Sequence, residues 1–190
     1  MSLSGIIPLK KREAILIEFT TVTNYDQKTL TAMAKALRKT VRKKKSRRAH
    51  ILGWVVILLG TILLLPPEGS SFSFSGRTVV TLAAVLAILL TFFFEDRLNG
   101  CFSRKWLLPG TESAVSVFQE DSYHTETKSG RTDWPYSRIV AAAELPGYFI
   151  LVLSENHAQA YDKTRLKGGS PEEFSRFLEE KTGFPVIRIS

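Results

Sequence analysis

The sequence has few of the residues on which disulfide scaffolds and metal sites depend. Its 190 residues include one cysteine and three histidines. The lone Cys101 cannot form an intramolecular disulfide, which excludes a cross-linked secreted scaffold and fits a reducing compartment. His50, His124 and His157 are far apart and have no cysteine or carboxylate companions at metal-ligand spacing. We therefore predict that the protein binds no metal.

Catalytic and cofactor-binding motifs are absent as well. No nucleophile motif occurs in the sequence. Lys167-Gly-Gly-Ser170 precedes a predicted helix, but it lacks the glycine, lysine and hydroxyl spacing of a phosphate-binding loop and is typical of a turn with a helix cap. Cys101 has no activating neighbour, so we expect its thiol to be inert. The sequence predicts a protein that is not an enzyme and that holds no cofactor.

Charged residues are missing from two apolar blocks, residues 51–65 and 79–94. Each block is shorter than the roughly 20 residues that match a hydrocarbon core, so a buried core helix or a signal segment is also compatible with its length. Both blocks are apolar on all sides apart from Thr61, Thr81 and Thr91, whereas a core helix usually has one polar face. We predict two transmembrane spans, at about residues 49–66 and 78–94.

The net charge of +8 is concentrated before the first block. Residues 1–48 have a net charge of +10, residues 49–94 are neutral and residues 95–190 have a net charge of −2. The connection between the spans, residues 66–77, contains only one basic residue, Arg77, and its prolines and glycines favour a helical hairpin. The positive-inside rule then predicts a multi-pass protein of the cell membrane with both termini in the cytoplasm.

A basic cluster lies immediately before the first span. Anionic lipids of the inner leaflet attract such residues by about 1 kcal/mol each. The cluster is therefore predicted to contact the membrane surface, and it does not require a nucleic acid as partner. The predicted contact residues are Arg42, Lys43, Lys44, Lys45, Arg47 and Arg48.

Residues 1–48 are predicted to form a cytoplasmic strand followed by a basic amphipathic helix. The strand is expected over residues 14–23, which are rich in β-branched and aromatic residues. Asn24 is the predicted N-cap of the helix. The apolar face of the helix either lies on the inner leaflet or packs on the soluble part of the protein, and its narrow stripe favours packing. The stripe consists of Leu30, Met33, Ala34, Leu37 and Val41.

Residues 104–190 are predicted to form a cytoplasmic domain of antiparallel strands closed by a C-terminal helix. Ser170 is the expected cap of this helix, Gly183 ends it, and Phe174, Phe177 and Leu178 form its apolar stripe. The pattern predicts a small barrel plugged by the helix, and a β-sandwich with a helix fits it equally well. The predicted strands are residues 113–119, 122–128, 133–142, 148–153 and 157–161, with residues 184–189 as a further candidate.

The aromatic residues of this region follow a recognisable spacing. Strands around Phe118 and Tyr123 are followed by Trp134-Pro-Tyr136-Ser-Arg-Ile139, then Tyr148-Phe-Ile-Leu151, and finally Glu172-Glu-Phe174 with Phe177-Leu178. Together with the basic helix before two close spans, this pattern resembles the YcxB-like family of bacterial membrane proteins. The resemblance implies a bacterial inner-membrane location and a pleckstrin-homology-like (PH-like) barrel after the hairpin. It implies no site residues.

The predicted fold is therefore an α+β membrane protein: a transmembrane hairpin, residues 49–94, and a PH-like barrel closed by a C-terminal helix. Trp134 and Tyr136 are expected to share one face of a strand as core anchors rather than as a ligand platform.

The favoured function is a non-enzymatic membrane-anchored adaptor that binds another protein, or a second copy of itself, through a strand edge or groove. An accessory or immunity-type subunit is the alternative, with its hairpin packed on a transporter or another integral protein and Gly53 and Gly60 allowing close approach. A membrane-bound hydrolase is the third hypothesis. A stand-alone channel is disfavoured because the spans contain no charge.

Overall fold

The computed structural model describes residues 18–65 and 75–190, which form a mixed α+β structure. The first part of the predicted strand, residues 14–17, and most of the predicted connection, residues 66–74, lie outside the described residues. The helices are α1 Gln27–Lys39, α2 Lys43–Leu64, α3 Gly76–Lys105 and α4 Pro171–Thr182. The strands are β1 Phe19–Asn24, β2 Ser113–Phe118, β3 Ser122–Thr127, β4 Gly130–Pro135, β5 Ala141–Glu144, β6 Tyr148–Ser154, β7 His157–Asp162 and β8 Ile187–Arg188.

Helices α2 and α3 are long and apolar enough to cross a membrane. At 22 and 30 residues they are about 33 and 45 Å long. Only 6% of the most apolar stretch of each helix is buried within the chain, so neither is the core helix of a soluble domain. The two helices pack antiparallel, with Gly53 against the Phe92 ring and Gly60 against Val85.

The first sheet joins segments from both sides of this helical hairpin. Its strand order is β1-β2-β3-β4, and all neighbours are antiparallel. Strand β1 precedes α2 and β2 follows α3, yet the two strands pair from Phe19 with Phe118 to Asn24 with Ser113. The segments before and after the hairpin therefore belong to one folded unit. We call residues 18–42 and 106–190 the head domain.

The second sheet has the order β7-β6-β5-β8 and is covered on both faces. Phe149 and Leu151 of β6 face the first sheet and α4, whereas Ile150 and Val152 face α1. All four are buried, and a strand covered on both sides is expected to be apolar without alternation. The position of β6 explains the uninterrupted apolar run of residues 148–153.

The predicted closed barrel is wrong, because the strands form two separate four-stranded sheets that share one core. Strands β1 and β7 meet through side chains instead of a backbone ladder: Thr21 Oγ1 donates to the Asp162 carbonyl at 3.0 Å, and the Asp162 N–H donates to Thr23 Oγ1 at 3.1 Å. Helix α4 closes this core as predicted. Its Phe174 is fully buried, with ring centroids about 5 Å from those of Phe19, Phe118 and Phe149.

The ends of α4 also match the sequence prediction. Ser170 and Glu173 form a capping box, and Gly183 ends the helix in the left-handed conformation that glycine favours. The predicted strand 133–142 is wrong, because it is divided at Pro135, which cannot donate to a ladder and is followed by a 3₁₀ turn, Tyr136–Arg138. Trp134 and Tyr136 therefore do not share a strand face. Tyr136 is a core anchor, and its hydroxyl donates to the Gln119 carbonyl at 2.7 Å.

Helix α1 packs its apolar face on the second sheet, which confirms the packing alternative. Leu37 and the fully buried Ala36 lie in one cluster with residues of β6 and β7. The N-cap is Asp26 and the prediction of Asn24 is wrong, because Asn24 still pairs in β1. Asp26 Oδ1 accepts the Thr29 N–H at 2.8 Å, and this hydrogen bond lowers the pKa of the Asp26 carboxyl.

Candidate functional site

A polar layer joins three helices where the apolar part of the hairpin ends. Arg38 of α1 donates two hydrogen bonds to the Asp96 carboxylate of α3, at 2.6 and 2.5 Å. These bonds raise the pKa of the Arg38 guanidinium. His50 of α2 lies 2.9 Å from the neighbouring Glu95 of α3. The layer therefore ties the head domain to both long helices.

Helix α1 lies across α3 next to this layer. Gln27 Nε2 donates to the Arg97 carbonyl at 3.1 Å, and Thr31 contacts the buried Gly100. Contacts with α3 thus extend from Gln27 to Arg38, over most of the length of α1. A side chain at position 100 would meet the Thr31 backbone, so the close approach of the two helices depends on this glycine.

Five of the six predicted membrane-contact residues form one exposed cluster. Lys43, Lys44, Lys45, Arg47 and Arg48 lie on the first turns of α2, at the same end of the hairpin as the polar layer. Arg42 is different, because it is partly buried and binds the turn between β6 and β7. Its guanidinium donates to the Glu155 carbonyl and to Asn156 Oδ1, both at 2.7 Å. Arg42 therefore fixes the start of α2 to the head domain.

Strand β4 is an exposed edge of the first sheet and, in the part of the chain that the structure describes, pairs with β3 alone. Thr127 and Gly130 are partners across a two-residue turn and so form a hydrogen-bonded pair. Since such pairs alternate along antiparallel strands, Arg131 and Asp133 direct their backbone N–H and C=O groups away from β3. Both residues are exposed, which leaves this edge open to another strand.

Beside β4 a groove of about 450 Å³ opens between the two sheets and α1. One end is apolar, with Leu30 and Met33 of α1 and Leu107 after α3. The other end is polar, with Trp134 of β4 and Gln159 of β7 among its lining residues. This combination of an apolar wall and a few placed polar groups is typical of ligand sites.

Within residues 18–65 and 75–190, two N–H donors at the polar end have no hydrogen-bond partner. Trp134 Nε1 is buried and makes no hydrogen bond to any residue that the structure describes. Gln159 is 7% exposed, and its Oε1 accepts the hydroxyls of Tyr123 at 3.1 Å and Tyr161 at 2.6 Å. Burial raises the pKa of both phenols, so they remain protonated donors at neutral pH. With its oxygen occupied in this way, the Gln159 amide nitrogen is left as a donor at the groove.

Electrostatically, the groove lacks negative charge. Among the described residues no aspartate or glutamate lines it, and Arg131 is the one permanently charged side chain. The His157 ring contacts Trp134 with ring centroids 5.5 Å apart, and burial lowers its pKa, so the ring is neutral at pH 7. A second groove, of about 500 Å³, continues toward α3 and shares Leu30, Met33, Leu107, His157 and Ala158 with the first.

The sequence analysis missed the partners of the polar layer and the groove. Arg38 and Asp96 are 58 residues apart, and His50 and Glu95 are 45 apart, so no local pattern connects them. The available signal was the acidic pair that directly follows the second apolar block. Cys101 is exposed. Within residues 18–65 and 75–190, no group of three histidine, cysteine or acidic side chains is placed to hold a metal ion.

Comparisons of the chain with protein-family models, curated proteins and solved structures gave no match. The resemblance to the YcxB-like family stays a prediction from the sequence.

Proposed function

We propose that the protein is a non-enzymatic membrane-anchored adaptor. Helices α2 and α3 cross the membrane as a hairpin, and the head domain binds a protein partner along β4. The observation that carries this proposal is the open edge of β4 on a domain that is fixed directly to the end of the hairpin. The inner-membrane location is part of the proposal and derives from the sequence resemblance.

Several features support the membrane anchor. The apolar side chains of α2 and α3 face outward, as in Leu58 and Val80, which are 61% and 69% exposed. Such surfaces are stable in lipid and costly in water. The exposed basic cluster of α2 lies where lipid headgroups would meet it. Since β1 and β2 pair, both chain segments that flank the hairpin lie on one side of the membrane, which the positive-inside rule makes the cytoplasm.

The edge of β4 supports a protein partner. An added strand gains main-chain hydrogen bonds from the outward groups of Arg131 and Asp133, which is how many domains bind extended peptides. The two side chains form an exposed ion pair with N and O atoms 3.0 Å apart. Charges on an edge strand also hinder non-specific pairing with other strands, so they favour a partner whose charges are of opposite sign at the facing positions.

Proline substitution at the edge tests the proposal. Asp133→Pro removes one outward N–H while sparing the ladder to β3, whereas Asp133→Asn keeps that N–H and removes only the charge. The full chain, with a photo-crosslinker at Thr132, is irradiated in native membranes and its adducts are identified by mass spectrometry. We expect one discrete adduct that Asp133→Asn retains and Asp133→Pro loses. An adduct equally strong in both variants would contradict strand addition.

The alternative, an accessory subunit that binds a transporter through its hairpin, makes a different prediction. Gly53 and Gly60 already pack against α3 of the same chain, so they are not free for another helix. Adducts from a crosslinker at Leu58, on the outer surface of α2, that persist in the Asp133→Pro variant would favour this alternative.

A further inference from the structure

We propose that the groove beside β4 binds a small amphiphile with an anionic head, a carboxylate or a phosphate. This inference is separate from the adaptor function, because it concerns a small molecule inside the groove and not a strand outside β4. It rests on the unpaired donors of Trp134 and Gln159, on the absence of acidic side chains from the lining, and on the apolar wall.

The N–H donors of the groove indicate the chemistry of the ligand's head group. Trp134 Nε1 comes from β4 and the Gln159 amide nitrogen from β7, and both residues line the groove. An unpaired donor in a buried site costs about 1–3 kcal/mol unless a ligand accepts from it. Both side chains offer N–H groups while the Gln159 oxygen is occupied by two tyrosines, so the complementary ligand carries oxygen acceptors. No aspartate or glutamate among the described residues lines the groove, so an anionic head meets no repulsion there, and hydrogen bonds to a charged acceptor are stronger than those to a neutral one.

The apolar walls of the groove indicate that the tail of the ligand is a hydrocarbon chain. Leu30, Met33 and Leu107 extend the groove away from these donors, and the second groove continues past them to Phe102 of α3 and to Trp106, which directly follows α3. Phe102 and Trp106 are 59% and 83% exposed. A linear alkyl chain would cover this apolar surface while its head reaches Trp134. The position beside the last turns of α3 gives the ligand a short path from the membrane surface.

The test uses the full chain in nanodiscs of neutral phosphatidylcholine. Decanoate, decyl phosphate and decanol are titrated by calorimetry, with empty nanodiscs subtracted. We expect one saturable site for at least one anion and at least tenfold weaker binding of decanol, and the stronger anion identifies the head group. Trp134→Phe keeps the aromatic ring but removes the donor, and should weaken anion binding about tenfold. Trp54→Phe, which removes an indole from α2, should have no effect.

A second variant provides a test that remains valid if Trp134→Phe unfolds the protein. Thr132→Trp fills the groove from an exposed position of β4 and alters none of the buried tyrosine contacts, and it should abolish binding of both anions. Equal binding of decanol and the anions, unchanged binding in Thr132→Trp, or no saturable binding would each overturn the proposal. Binding that appears only after deletion of residues 1–17 would identify that segment as the occupant and would also overturn it.

Discussion

Arg38 on α1 and Asp96 on α3 form a two-point hydrogen-bonded ion pair, with N–O distances of 2.6 and 2.5 Å. The two side chains are 20% and 18% exposed, so the pair is mostly shielded from water. Glu95, next to Asp96, lies near the same guanidinium and contacts His50 of α2. A single arginine thereby links the head domain to the end of the helical hairpin.

Removing one member of this pair should destabilise the protein. Arg38→Ala leaves the Asp96 carboxylate shielded without its partner, and we expect the free energy of unfolding to fall by about 1–3 kcal/mol. Urea denaturation of the full chain in detergent measures the change. The double variant Arg38→Met with Asp96→Leu should recover most of the loss, because neither charge is then left unpaired. Equal stability of Arg38→Ala and the unmodified chain would show that the pair does not hold α1 to α3.

Gly100 should be intolerant of a side chain. The Cβ of Gly100→Ala would lie 2.8 Å from the Thr31 backbone nitrogen, so α1 and α3 must move apart. Alanine favours a helix over glycine by about 1 kcal/mol, and overpacking costs about 1–3 kcal/mol. We expect a net loss of stability in the same denaturation assay. Gly76→Ala is the matched control, because none of the described residues lies within 4 Å of its added Cβ, and this variant should be about as stable as the unmodified chain.

Because α4 closes the core, truncating its buried side chains should lower the free energy of unfolding. Phe174 is fully buried against Phe19, Phe118 and Phe149, so Phe174→Ala should reduce the free energy of unfolding by about 3–5 kcal/mol. Phe177 is only partly buried, so the same truncation there should cost less. Arg176 is exposed on the same helix, and Arg176→Ala should change stability by less than about 0.5 kcal/mol. Similar effects at positions 174 and 176 would refute the role of α4 as a plug.

Local patterns in the sequence predict most of the helices and strands, because amphipathic spacing and capping residues act within a few positions. The apolar stripe of α4 and its ends at Ser170 and Gly183 are correct for this reason. The division of the strand at Pro135 was also visible in the sequence, since proline cannot donate to a ladder. The predicted strand over residues 133–142 nevertheless includes Pro135.

The arrangement of these elements required information that local patterns do not contain. Strand β1 pairs with β2 across 88 residues or more, including the whole hairpin, and its partner is fixed by the shared core. The two sheets are separate because β1 and β7 contact each other through side chains and not through a backbone ladder. Arg42 looks like one member of a basic run, and only the position of the turn at Glu155 and Asn156 distinguishes it. The groove between the two sheets and α1 forms only because all of these elements are arranged in this way.

Stability should decrease as the pH falls from 7 toward 5. Burial lowers the pKa of His157 below its usual value of 6.5. The unfolded chain therefore binds a proton near pH 6.5 while the folded chain does not, and unfolding becomes easier until the pH reaches the lower folded pKa. Thermal melting of the full chain across this range tests the effect. His157→Gln should show a weaker pH dependence, and an identical dependence would exclude His157 as the cause.

The segments on both sides of the hairpin meet in one head domain, which we propose lies on the cytoplasmic side of the membrane. Single cysteines at Lys28, Ser129 and Ser70, in a Cys101→Ser background, place one probe before the hairpin, one after it and one in its connection. An impermeant thiol reagent is applied to intact spheroplasts and to permeabilised membranes. We predict that position 70 is labelled in intact spheroplasts and that positions 28 and 129 are labelled only after permeabilisation. Labelling of position 28 or 129 in intact spheroplasts, whether both or one alone, would contradict this topology.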